Sequence, residues 1–280
     1  MKRIIECFYP GKSFPSISVT GSACALDCKH CSRKYLEGMI PALSPDDLLA
    51  VAEALAERGA RGFLLSGGVD DGGRVPLMKF EPAIREIKDT TDLEINAHIG
   101  LTPRKELEAL VKSGIDSFSV DVYGSDETIR EVLGLQSRVK DYFEVVEGLI
   151  GLGASVSPHV CVGIHGGRLK GESDAIARLK RTNPRNLILI SLIPTRGTEY
   201  ANVEPPGKEM MMSVVREARS ALPSTRILLG CMRSKADRSW EYELIEAGLD
   251  GVVLPAPRTV ERLKAAGYSV KKRSECCAMI

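Results

Sequence analysis

The chain has 280 residues, 44% of them hydrophobic, and sets 38 Lys and Arg against 37 Asp and Glu for a formal charge of +1. That length suits one α/β barrel, and near-neutrality gives no support for nucleic acid or an anionic membrane as a partner. No apolar run approaches the roughly 18 residues of a membrane span, and the basic start MKRIIECFYPGKSF lacks a signal-peptide core, so a cytoplasmic protein is expected.

In chain order, a short β-rich run over residues 17–20 is followed by SACALDCKHCSRKY, which places Cys24, Cys28 and Cys31 as C-x3-C-x2-C. Three thiolates on one loop suit a soft metal site better than a core. Three ligands leave one position of a tetrahedral set open, the arithmetic of a 4Fe–4S cubane with one iron free of protein ligands. A structural zinc site needs a fourth ligand, and His30 is pinned between ligands.

A strand–helix rhythm then begins. Ser44-Pro45-Asp46-Asp47 reads as a helix start, with a hydroxyl cap, proline in the first turn and acids behind it. That helix closes at Gly59, and residues 62–66 read as a buried strand. Residues 93–98 give the next strand, Thr102-Pro103 caps a helix ending at Gly114, and residues 117–123 alternate into a strand followed by a Ser125-capped helix. A long helix is expected over 139–152, strands over 156–164 and 186–193, a strand over 225–229 with a helix near 239–247, and a strand over 251–254 with a helix over 259–266.

These are eight strands mostly separated by helices, which demands a parallel sheet and suggests closure into a single (β/α)8 barrel over residues 1–267. Residues 268–280 lie outside the rhythm as a cysteine-containing tail expected to fold over the active-site face. In such a barrel chemistry sits on the loops after the strands, where the three cysteines fall. Eight cysteines in a cytoplasmic chain read as metal or redox chemistry before disulfides. One Gln and four Asn point to a thermophilic source, where cytosolic disulfides are tolerated.

The C-x3-C-x2-C loop resembles that of the radical S-adenosylmethionine (SAM) enzymes, in which SAM chelates the open iron; His30 stands where that family commonly has an aromatic residue. The resemblance implies a 4Fe–4S cluster on Cys24, Cys28 and Cys31, with SAM as co-substrate. It puts the backbone of Gly67 and Gly68, in SGGVDD, at the methionine part of SAM, although Val69 replaces the family's acid and Asp70 and Asp71 follow it. Asp121 inherits a place on the ribose. Gly163-Ile164-His165-Gly166 resembles a biotin synthase segment beside the adenine, which brings in Ile164, while Glu172 falls two residues late; Arg168 is a candidate for the SAM carboxylate.

Similarity to biotin synthase runs from about residue 16 to 254. Cys161 falls where that enzyme has a ligand of its auxiliary 2Fe–2S cluster, and Arg226 near its arginine ligand. The other two auxiliary cysteines have no counterpart. The chain is more similar to archaeal homologues associated with a two-protein lipoyl synthase. That implies sulfur insertion into an octanoyl chain carried on a protein lysine, with a partner radical SAM subunit. A second iron–sulfur cluster would then use Cys231, which follows the seventh strand, with Cys276 and Cys277; Arg273-Ser274 is similar to the Arg-Ser-Ser end of lipoyl synthase. Cys7 joins this set more weakly. The alternatives are another biotin-synthase-like cofactor-maturation or methylation enzyme, and a non-catalytic iron–sulfur electron carrier.

Overall fold

The structure, a computed structural model, describes residues 4–279. All eight expected strands are present: β2 (Ser16–Ser18), β4 (Gly62–Ser66), β5 (Glu94–His98), β6 (Ser117–Asp121), β7 (Val156–Val162), β8 (Asn186–Ser191), β9 (Arg226–Leu229) and β10 (Gly251–Val253). They lie side by side in that order, every pairing parallel.

The barrel does not close on itself in the expected way. Three further strands, β1 (Ile4–Phe8), β3 (Ile40–Pro41) and β11 (Ser269–Arg273), extend the sheet to eleven. β10 pairs with β1 and β1 with β11, while β3 flanks β2 at the other end, so no ladder joins the last strand to the first among the described residues. The eight-unit reading therefore holds for the strand order and fails for closure. β11 also takes up residues 269–273, which were expected as loose tail.

The helices form where capping and apolar spacing ask for them. In α1 (Pro45–Glu57), Ser44 and Asp47 make a reciprocal capping box, and Leu48, Ala52 and Leu55 recur on the buried face. α2 (Glu81–Thr90) follows β4, and α3 (Arg104–Lys112) follows β5. Thr102 does not cap α3: its hydroxyl donates to the Ile99 carbonyl, and Pro103 occupies the cap position. Ser125 does cap its helix, accepting from the Thr128 amide, but α4 (Asp126–Thr128) widens at once into a π turn over Ile129–Leu133. α5 (Val139–Gly151), α6 (Glu172–Thr182), α7 (Lys208–Ala221), α8 (Glu241–Ala247) and α9 (Pro257–Ala265) complete the outer layer. β8 is almost wholly buried, because helices cover one side of a parallel sheet and lumen residues the other.

The tail lies under the barrel, not over its mouth. The Ala278 carbonyl accepts from the hydroxyls of Ser117 (2.6 Å) and Ser157 (3.2 Å), which open β6 and β7 at the floor. Cys277 is buried with Phe8, Ile188, Leu228 and Val253. Around it runs an ionic belt: Glu6 meets Arg226 and Arg273, Arg273 meets Glu275 at 3.3 Å, and Glu275 meets Arg61, which also holds Glu94. Side chains from β1, β9 and β11 thus join on one side, and Glu275 carries the belt across the gap that backbone pairing leaves to Arg61, just ahead of β4. Arg226, expected near a cluster, is committed to this belt.

Candidate active site

The mouth end of the strands is built on β2 and β4. Beyond β2, Thr20 accepts at Oγ1 from the Gly68 amide (2.7 Å) and donates to the Ala23 carbonyl (2.8 Å), pinning the cysteine loop to the turn after β4. The Val69 amide donates to Cys24 Sγ at 3.4 Å, and the Ala25 amide to the Val69 carbonyl. Gly68 is glycine for a steric reason. A Cβ there would stand 2.0 Å from the Ala23 carbonyl oxygen and 2.6 Å from Cys24 Cβ.

Cys28 and Cys31 follow in a tight turn, with the Cys31 and Ser32 amides both donating to the Cys28 carbonyl at 2.9 Å. Ser32 and Arg33 then take left-handed φ values of 41° and 66°, which non-glycine residues adopt at a cost of about 1–3 kcal/mol each, usually where a site demands it. All three cysteines are free thiols. Burial, then the charges of Cys31 and Cys24, push Cys28 up to about 12, and burial raises Cys31. Cys28 and Cys31, which resist ionisation alone, stand with Cys24 as a fit for a metal centre, because bound iron supplies the positive charge that makes thiolates stable there. Between them lies His30: burial lowers it to about 4, and its Nδ1 is buried with no hydrogen-bond partner among the described residues.

The acids after the glycines are otherwise engaged. Asp70 accepts from the Gly72 and Arg74 amides and from Arg74 Nε, and Arg74 reaches on to Glu106 at 2.6 Å. Asp70 braces its own loop, and Asp71 is exposed.

The lumen contains what sequence reading did not single out. His98, at the end of β5, sets Nε2 3.3 Å from Asp121 Oδ2 at the end of β6. The His98 and His159 rings are 5.5 Å apart. Burial opposes the Asp121 charge, but His98, then His159 and His30, hold it down to about 2. Burial, then His98, lowers His159 to about 4. The His98 and Asp121 side chains are nevertheless 30% and 38% exposed, so water reaches this group. Both histidines end or interrupt predicted strands on the side where barrel chemistry sits, the one signal that would have found them.

The remaining candidates separate. Ile164 is buried on the loop after β7, Arg168 on the same loop is exposed, and Glu172 closes that loop by accepting from the Gly163 (2.7 Å) and Lys170 (2.6 Å) amides. Cys161 faces the lumen, with burial, then Asp121, raising its thiol well above the usual range. Cys231 lies after β9 with exposed surface, within electrostatic reach of Cys276 and Cys277. Cys276 points up from the floor, its Sγ 3.7 Å from Asn96 Nδ2. The Cys277 thiol donates to it and holds it below the ordinary thiol range against burial, with help from the Ala278 amide and Asn96. Ser274 is exposed outside this group, and Cys7 is buried in the core.

Residues 18–180 match the family profile described as the Radical SAM superfamily. The chain belongs to the radical SAM superfamily. A biotin synthase of Ruthia magnifica is 23% identical over 245 residues, 84% of this chain and 74% of that protein. One from Wolinella succinogenes is 27% identical over 247 residues, 85% and 86% of the two chains. Among solved structures, HydG, a maturase of the [FeFe]-hydrogenase, superposes with a TM-score of 0.67 at 18% identity, over 89% of this chain and 56% of that one. The chain thus spans little more than half of that HydG, and the likeness is one of fold. Membership in this biotin-synthase-like branch of the radical SAM superfamily brings with it a 4Fe–4S cluster and SAM. No helix among the described residues is long and apolar enough to cross a membrane.

Proposed function

We propose that Cys24, Cys28 and Cys31 hold the 4Fe–4S cluster, and that Gly67 and Gly68 meet the methionine part of SAM. Asp121 takes the ribose, and Ile164 and Arg168 meet the adenine and the carboxylate. When bound, the cluster supplies the electron that splits SAM to methionine and a 5′-deoxyadenosyl radical. The observation that carries this reading is the docking of the free-thiol loop onto the glycine turn through Thr20 and Val69. Asp121, ionised near neutral pH, is a two-oxygen acceptor suited to paired ribose hydroxyls.

The reaction favoured is sulfur insertion into an octanoyl chain, carried on a protein lysine and shared with a partner radical SAM subunit. One feature supports it: Cys231, Cys276 and Cys277 supply thiols for a second, sulfur-donating cluster. The group formed by His98, Asp121 and His159 is polar, and it favours as second reading a cofactor-maturation or methylation enzyme acting on a more polar substrate.

Anaerobic reconstitution with dithionite and SAM tests the first claim. The parent should release 5′-deoxyadenosine, and a Cys24→Ala/Cys28→Ala/Cys31→Ala variant should not. A parent that holds iron but never cleaves SAM would make the chain an electron carrier. Octanoylated protein as substrate, with and without a partner subunit, then separates sulfur insertion from the second reading.

A further inference from the structure

Away from the cysteine loop, the turn after β6 and the loop after β7 bring another donor set together at the rim. Glu127 and Glu131 stand about one turn apart where α4 passes into the π turn, and His165 faces them from the loop after β7. One ligand atom of each lies within 4.8 Å of the other two. Exposed acids often cluster without a ligand; His165 distinguishes this cluster.

The His165 side chain is only 10% exposed. Its Nδ1 is 3.2 Å from Thr128 Oγ1, and Thr128 in turn donates its hydroxyl proton to the Lys170 carbonyl at 3.3 Å. Thr128 therefore accepts from Nδ1–H, and the neutral imidazole keeps its lone pair on Nε2. No donor among the described residues reaches that nitrogen, and what faces it, at 3.9 Å, is Glu131 Oε2. Two acceptors confronting each other, one of them on a ring nine-tenths buried and the other on a half-exposed carboxylate, call for a cation between them. Orientation of a ligand histidine through a hydrogen bond at its other nitrogen is also how metal-binding imidazoles are held.

Competing charges are present. Lys170 pairs with Glu127 Oε1, and Arg130 lies 3.4 Å from Glu131 Oε1, leaving Oε2 turned toward His165. A bound metal would compete with Lys170 for Glu127, which keeps the affinity modest. The geometry points to a divalent-cation site at Glu127, Glu131 and His165, suited to metals that accept mixed carboxylate and imidazole donors, such as Mn²⁺, Fe²⁺ or Zn²⁺. Its occupant would fasten the loop after β7 to the π turn. That turn already holds the cysteine loop: its Val132 carbonyl accepts from the Lys29 amide at 3.0 Å, and Leu133 O lies 3.8 Å from Cys28 Sγ.

Mn²⁺ is the probe, because thiolates bind it poorly and the cysteine sites stay out of the reading. Full-length, anaerobically reconstituted protein is titrated with MnCl2 while the six-line resonance of free Mn²⁺ is followed. The expected result is one bound Mn²⁺ per chain, with Glu131→Gln and His165→Ala each weakening binding by about tenfold or more, as loss of even an outer-shell partner can. The Cys24→Ala/Cys28→Ala/Cys31→Ala variant should bind Mn²⁺ like the parent, so this site can stand or fall apart from the cluster assignment. Should His165→Ala misfold, Glu131→Gln, a change at a half-exposed position, decides alone. Absence of stoichiometric Mn²⁺, or binding that Glu131→Gln leaves unchanged, overturns the proposal.

Discussion

The Val69 amide donates to Cys24 Sγ across 3.4 Å, so the glycine turn after β4 and the cysteine loop after β2 form one unit. That contact fixes how closely the two loops approach. Gly68 stands at the closest point of that approach.

Gly68→Ala should therefore damage the cluster before it touches SAM. The new Cβ would overlap the Ala23 carbonyl and Cys24, and overpacking of this kind costs about 1–3 kcal/mol. Iron per chain should fall, and SAM cleavage with it. Gly72→Ala is the control, since its Cβ would meet only Asp70 Oδ1 at 3.3 Å. Full iron loading in Gly68→Ala would show that the two loops can separate without consequence.

The floor belt predicts a stability effect with no loss of chemistry. Glu6 is 8% exposed and serves Arg226 and Arg273, so Glu6→Gln takes the belt's carboxylate from Arg226 and leaves Arg273 with Glu275 alone. Breaking a fully buried pair costs about 3–5 kcal/mol; with both arginines partly exposed, about 2 kcal/mol is expected. Thermal unfolding should shift down by several degrees, whereas Glu37→Gln, at the solvent-exposed pair with Lys34, should change little. Equal melting temperatures for the two variants would mean that the belt does not hold the floor.

How much of this was legible depended on how local the signal was. The eight barrel strands could be read because each is a short apolar run flanked by glycine, proline or a capped helix, and parallel order follows from the alternation. The cysteine spacing likewise lies within eight residues. β1 and β11 escaped because each is defined by a partner far away in sequence: Ile4–Phe8 pairs with β10, and Ser269–Arg273 is a lysine-bearing edge strand with no apolar alternation. Closure failed for the same reason, since the expected ladder between the last strand and the first is replaced by these two. His98 was read as a strand end, but its importance comes from Asp121, one strand over, a contact that no local pattern announces.

The histidine pair makes a pH prediction. His159 has its pKa lowered from 6.5 to about 4, so the folded chain binds fewer protons than the unfolded chain between those values. Stability should be full above about 6.5 and fall as pH drops toward 4. His98 is raised above its ordinary value, so its contribution is already complete below 6.5 and does not mask the effect. Melting temperatures measured from pH 7 to pH 4 should fall less steeply in His159→Gln than in the parent. Parallel curves would place the acid sensitivity elsewhere.

The last prediction concerns the thiols at the base of the lumen. Cys276 rises beside Asn96 with Cys277 next to it, and Cys231 approaches from the loop after β9, so the tail reaches the cavity from below. On that route Ser274 stays outside, and a second cluster on Cys231, Cys276 and Cys277 would be completed by a lumen group or by a bound molecule. A variant carrying Cys231→Ala, Cys276→Ala and Cys277→Ala should lose roughly half of its reconstituted iron and sulfide, if both clusters are of comparable size. It should still release 5′-deoxyadenosine from SAM, because Cys24, Cys28 and Cys31 are untouched. It should not insert sulfur. Loss of SAM cleavage together with the iron would instead mean that removing the buried Cys277 had disturbed the floor, and Cys231→Ala alone, at an exposed position, then isolates the ligand role. Full iron and sulfide in the triple variant would remove the second cluster from this chain and, with it, the strongest support for sulfur insertion.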